Sequence, residues 1–289
     1  MKACLRAISL GFIIVMGMGL GTYSRAQEAP AEKPAAPAAA TAPAEATPPA
    51  GMKLIPEDLV ADLNVSTYSA YIWRGYELSK DSLVIFPQLT VGYKGFAVTT
   101  WIDLDTHLKN SNDQFKLQET DLITTYSNSY APWKLNYTLG WILYDYQPTA
   151  ARPDGTIHDT KNQEVFVTLG LDTFLKPTFS VYNEIEMGQA WYFQLGIAHS
   201  INVYKDWSLD LALTASYMDN QSTANISAFH DGNLAAGLKI PINKYLSIKP
   251  NLQYSFPLSQ AAAHKIATSS FDGHDNNFVY GGLIVDLAL

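Results

Sequence analysis

From Leu59 to the C-terminus, apolar and polar residues alternate one for one over stretches of about 9 to 12 residues, the two-residue repeat of a strand with one face against apolar surroundings. In "WSLDLALTASYM" Trp207, Leu209, Leu211, Leu213, Ala215 and Tyr217 share one face, and Ser208, Asp210, Thr214 and Ser216 share the other. Val165, Val167, Leu169 and Leu171 oppose Glu164, Thr168, Gly170 and Asp172 in the same way. Phe179, Val181, Ile185 and Met187 likewise oppose Ser180, Glu184, Glu186 and Gly188. No 3.6-residue apolar stripe is sustained anywhere in this region, so no helix is predicted. The pattern places strands near 60–73, 83–94, 95–105, 116–127, 135–146, 163–172, 178–188, 190–201, 207–219, 232–240, 246–256 and 277–289.

That is an even number, twelve, and the connectors alternate in length. "DTHLKNSNDQ", "QPTAARPDGTIHDTKN", "NQSTANISAFH" and "PLSQAAAHKIATSSFDGHDN" are long and polar; "YKGF", "NSYAPW", "TFLKP", "NVYKD" and "PINKY" are short. The tight connection at 187–190 is the one exception. Short turns on one rim and long loops on the other predict an all-β fold, a transmembrane antiparallel up-and-down barrel of about twelve strands. In lipid every backbone amide needs a partner, and a closed sheet supplies them without an edge. Tyr71, Trp73, Tyr93, Trp133, Tyr144, Tyr204, Trp207 and Tyr245 fall near strand ends, where interfacial girdles belong. A soluble β-sandwich is the competing fold, since it would bury the same alternating faces against each other.

The ends fix the expected compartment. Lys2 and Arg6 precede an apolar run to Leu20, and "SRA" at 24–26 offers small residues for cleavage, so residues 1–26 read as a secretory signal peptide rather than an anchor helix. The leader holds Cys4, the chain's one cysteine, so disulfides are not expected to hold the fold. Its loss removes three cations and takes the formal charge from −8 to −11, which disfavours nucleic acid as a partner. Residues 27–58 read as a periplasmic linker: 17 of the 22 residues at 29–50 are Ala or Pro. Residues 59–289 are left as the barrel, in the outer membrane of a Gram-negative bacterium.

Only four arginines occur, and Arg74 lies at the end of the first predicted strand. Leu63, Val65, Thr67, Tyr71 and Trp73 would face lipid, which puts Arg74 in phase with Asp62, Asn64 and Ser66 on the water side. The same phasing brings Asp103, Asp105, Glu119, Asp121, Glu164, Glu184 and Glu186 towards the outer end of the lumen, against Arg74 and Lys116. A vestibule of that sign concentrates cations. Alternatively, these groups satisfy one another in a plug that stiffens the barrel.

"YSAYIWRGYELSKDS" and the following "GYKGFAVTTWIDLD" resemble the opening of a proteobacterial putative-porin family, the TorF-type proteins. Its mark is roughly S-x-Y-x-x-R-G, then Pro-x-x-Gln or Pro-Gln, then G-F and a Trp. The matching positions are Ser69, Tyr71, Arg74, Gly75, Pro87, Gln88, Gly95, Phe96 and Trp101, over about 35 residues. The resemblance implies a barrel pore and supplies no catalytic residue.

Catalytic chemistry is sparse in the pattern. His199 is the one histidine within a predicted strand, and no serine shares its phase nearby. His158–Asp159, His230–Asp231 and "DGHDNN" around His274 put histidine beside acid in outer loops, without a recognised metal-cage spacing. The expectation is therefore a passive channel for small solutes or ions with mild cation preference, no enzymatic activity and no cofactor. Its partners would be outer-membrane lipids and the barrel-assembly machinery. The alternatives are a lipid or peptide hydrolase using His199 or His274, and a closed structural or adhesive barrel.

Overall fold

A computed structural model describes residues 59–106, 116–147, 161–186, 190–220 and 225–288. The leader, the linker and the loop containing His158–Asp159 lie outside these residues.

Twelve antiparallel strands close into a barrel. In chain order they are β1 (Leu59–Tyr68), β4 (Val84–Tyr93), β5 (Phe96–Asp105), β6 (Lys116–Tyr130), β7 (Leu135–Tyr146), β8 (Lys161–Leu171), β9 (Thr178–Glu184), β10 (Trp191–Tyr204), β11 (Trp207–Asn220), β12 (Ile226–Pro241), β13 (Leu246–Pro257) and β14 (Phe278–Ala288). Two further strands, β2 (Ile72–Trp73) and β3 (Tyr76–Glu77), form a separate small hairpin. The seam closes between β1 and β14, from Asp62 opposite Ala288 to Tyr68 opposite Gly282. On its other side β1 pairs with β4, because the chain between them leaves the wall.

The two faces differ as the alternation requires. Leu89, Val91, Leu139, Val167, Leu195 and Leu252 point outward, Leu195 with 61% of its surface exposed, and form the lipid-facing band. Opposite residues of an antiparallel pair share a face, so the register gives the lumen lining directly. Its lower half, towards the short turns, is polar: Asn64, Thr90, Thr99, Thr125, Ser127, Thr138, Thr168, Ser200, Ser208, Ser247 and Asn251 share it with the charged Asp62, Asp210, Lys239, Lys249 and Asp286, and Lys249 Nζ lies 3.6 Å from Asp210. Inward hydroxyls meet across strands at 2.8 Å in the pairs Thr90–Thr99, Ser127–Thr138 and Thr168–Ser180. The upper half is filled by large side chains, among them Trp101, Ile142, Tyr144, Phe166, Tyr182 and Tyr192.

Four expectations about elements need correction. The first strand was expected to run to Trp73, but it stops at Tyr68. Ser69 and Ala70 turn the chain inward, with Ser69 N–H donating to the Gly281 carbonyl at 3.0 Å. The seventh strand was expected to reach 188 and ends at Glu184. The tenth begins at Ile226 rather than 232, so His230 and Asp231 sit in the wall and not in a loop; a register shift between Ala215 and Tyr217 of the partner strand masks the alternation there. Finally, the loop after β13 contains a helix, α1 (Gln260–Ser269). Ser259 caps it by accepting from Ala262 N–H, and its Ala-rich sequence has high helix propensity. Ala262 and Ile266, four residues apart on one face, are fully buried.

Candidate functional site

The segment between β1 and β4 enters the lumen. Residues Tyr71 to Glu77 are all buried. They form a hairpin in which Ile72 faces Glu77 and Trp73 faces Tyr76, and Leu78 N–H returns to the Tyr71 carbonyl at 2.8 Å. The turn between the strands is Arg74–Gly75, with φ of 45° and 80°. Positive φ at both central residues is the signature of a type I′ turn, the two-residue connection that matches strand twist. Gly75 also has no room for a side chain, since a Cβ there would lie 2.9 Å from both Asp231 Cβ and Ile266 Cδ1.

Arg74 therefore reaches the lumen from a hairpin tip and not from a wall strand. Its Nη1 and Nη2 donate to Glu164 Oε1 and Oε2 at 2.9 and 2.8 Å, a bidentate pair in which both side chains are buried. The guanidinium also lies over Trp73, Tyr182 and Tyr192, at 4.6, 5.0 and 4.2 Å from the ring centroids. Fork geometry plus stacking suits arginine and not lysine. Tyr144 donates its hydroxyl to the same Glu164 at 3.0 Å.

On the far side, the hairpin meets a second polar group. His230 Nδ1 lies 3.0 Å from Asp231 Oδ1, and its Nε2 faces the Tyr76 hydroxyl at 3.1 Å. Asp231 also accepts from Ser216 Oγ at 2.6 Å and from the Tyr192 hydroxyl at 3.1 Å. Tyr192 thus joins the two ends, stacking on Arg74 and bonding Asp231. A third anchor is Tyr71, which packs against Phe86 and Trp101 and donates to Glu119 Oε2 at 3.4 Å. From β4 to β12 the hairpin spans the upper lumen. Near its exit, Glu77 accepts from Phe271 N–H at 2.9 Å, and Lys80 bonds Asp272 and also contacts Asp275.

The acids predicted for this level divide as follows. Asp103, Asp105, Glu119, Asp121, Glu164 and Glu184 are inward and buried. Glu186 is not a lumen residue. The strand has ended before it, and its exposed carboxylate accepts from Gln163, on the outward phase of Val165 and Val167. Lys116 begins β6 opposite Asp105, and its side chain lies outside the described set. Tyr71, Trp73 and Tyr144, expected in the lipid girdle, are buried in the lumen instead. Tyr93, Trp133, Tyr204 and Tyr245 do lie exposed beside the short turns.

The remaining motif positions line this region. Ser69 marks the exit from the wall, and Trp101 lies beneath Tyr71 and Phe86. Pro87 and Gln88 face Val65 and Asn64 in the first wall pair. Gly95 (φ 87°) makes the following turn, and Phe96 is exposed beside it. What the sequence missed is the contribution of His230, Asp231, Ser216, Tyr76 and Tyr192. The one visible signal was the His–Asp pair, assigned to a loop.

His199 faces outward near the short-turn rim, with Nδ1 2.9 Å from the Phe174 carbonyl. At the outer rim Asp272, His274 and Asp275 bring ligand atoms within 4.8 Å of one another, and the Lys80 ammonium lies against both aspartates.

No known family and no curated protein matches the chain. Among solved structures it is similar to the NanC porin (10% identity, TM-score 0.46, covering 79% of this chain and 98% of that one). It is also similar to the outer membrane channel DcaP of Acinetobacter baumannii (8%, 0.36, 80% and 96%). Outer membrane phospholipase A from Escherichia coli is a third (13%, 0.41, 80% and 97%). At such scores the likeness says nothing of substrate or reaction. It does correct one expectation: with a phospholipase among these barrels, the absence of enzymatic activity does not follow from a wall of this kind.

Proposed function

We propose that the protein is a porin-like channel of the outer membrane, that its hairpin at 71–77 governs passage, and that it prefers small cations. The reading rests chiefly on the layer of six buried, inward carboxylates at the level of the hairpin, against Arg74. Arg74 is itself neutralised by Glu164. A small cation in that layer meets a net negative field in surroundings that screen it little, and an anion is repelled. Below the layer, hydroxyls and amides share the lumen with the charged Asp62, Asp210, Lys239, Lys249 and Asp286, a polar lining that can hold water.

Passage requires the hairpin to move, because its side chains occupy the lumen from β4 to β12. It is joined to the wall by side-chain contacts, polar and aromatic, and lacks the continuous ladder of a barrel strand, so it is the part that can shift without opening the sheet.

Purified protein in a planar bilayer under a potassium chloride gradient tests the reading. It should show stepwise conductance with a reversal potential displaced to the cation side. An Asp121→Asn, Glu184→Gln variant should move that potential towards zero. Absence of steps, or an anion-selective potential, would overturn it.

A further inference from the structure

Each of the five short turns contains a lysine: Lys94, Lys134, Lys176, Lys205 and Lys244. Four of them, all but Lys244, have positive φ, between 40° and 51°. Left-handed backbone is strained for any residue with a Cβ, and glycine, asparagine and aspartate are the usual occupants. The outer connections follow that custom with Asp81 and Asn225. At the short-turn rim the chain accepts a strained lysine four times where asparagine would be easier. Lysine brings to these turns a charge that asparagine would not.

The side chains also show a direction. Lys94, Lys205 and Lys244 lie over Tyr93, Tyr204 and Tyr245, with nitrogen 5.1, 5.1 and 4.5 Å from the ring centroids. These tyrosines are exposed at the ends of lipid-facing strands, as is Trp133 beside Lys134, at 72% exposure. Interfacial aromatics sit at headgroup depth. A lysine leaning on such a ring holds its ammonium sideways at the level of lipid phosphates rather than down into the aqueous space.

We infer that the five turn lysines form a ring that binds the phosphates of anionic phospholipids in the adjacent leaflet, fixing the depth of the barrel. The aromatic rings take the acyl–headgroup boundary and the ammonium groups take the phosphate. Basic residues near a membrane surface attract anionic lipid by a factor of roughly five each.

The test compares wild-type full-length barrel with a variant carrying Lys94→Asn, Lys134→Asn, Lys176→Asn, Lys205→Asn and Lys244→Gln. Asparagine suits the left-handed turns, so the variant should fold at least as well, which heat-modifiable gel mobility will show. Native mass spectrometry then reads the lipids retained from detergent containing equimolar phosphatidylglycerol and phosphatidylcholine of matched acyl chains. The wild type should favour phosphatidylglycerol by at least about fivefold, and the variant should lose that preference. Equal retention in the wild type, or an undiminished preference in the folded variant, would overturn the inference. So would loss of the preference on adding millimolar glycerol phosphate, since the ring would then belong to a soluble anion.

Discussion

Arg74 shows how one side chain sets the interior. A buried ion pair stripped of one member leaves a charge in a poor solvent, and such losses run to about 3–5 kcal/mol. Arg74→Gln should therefore lower the stability of the barrel by about that much in urea unfolding from vesicles, and Arg74→Gln with Glu164→Gln should recover a large part of it. A double variant no more stable than the single one would show that the two are not coupled. Gly75→Ala should cost about 1–3 kcal/mol in the same assay, because φ is 80° and its Cβ has no space beside Asp231 and Ile266. An unchanged midpoint would contradict that packing. At this scale the sequence was informative in part. Arg74 stood out by scarcity, and the inward acids followed from strand phase. The aromatic cage did not, because Tyr182 and Tyr192 come from strands more than a hundred residues away, and alternation alone cannot say which inward residues meet across a lumen.

Among the elements, the wall was readable and the parts inside it were not. A strand in lipid has to alternate, so its sequence announces it; a segment packed inside a lumen is covered on all sides and has no such constraint. "YIWRGYE" looks like more strand because Tyr71 and Trp73 suit a lipid face equally well. Helix α1 escaped because ten residues rich in alanine bury only Ala262 and Ile266, too little for an apolar stripe. The contact between these two inserts gives a pH prediction. The hydrogen bond from Lys80 holds the Asp272 carboxyl below its ordinary 3.8, and the same bond raises Lys80. The tether is then complete above the ordinary aspartate value and fades as pH falls through the depressed one; at the alkaline end it fades as pH rises through the raised lysine value. A spin label at His274→Cys should gain mobility as pH falls below the ordinary aspartate value of 3.8, and an Asp272→Asn background should abolish that step. A step of the same size in both would show that the ion pair does not hold the loop.

The whole molecule divides into a continuous wall and a removable interior. Register, closure and the outward apolar band follow from a two-residue repeat and the need to satisfy every amide in lipid, which is why twelve strands could be counted from the chain alone. Among the described residues, the upper lumen is occupied by the fifteen residues between β1 and β4 together with inward wall side chains and the buried face of α1, and the placement of the fifteen is decided by contacts with Glu164, His230 and Glu119 rather than by any local pattern. The most direct measurement is single-channel recording of the wild type beside a chain in which residues 71–79 are replaced by glycine and serine. The replaced chain should show larger, longer-lived and still cation-preferring steps, and the wild type smaller or briefer ones. Equal conductance in both, or none in either, would contradict a channel governed by its hairpin.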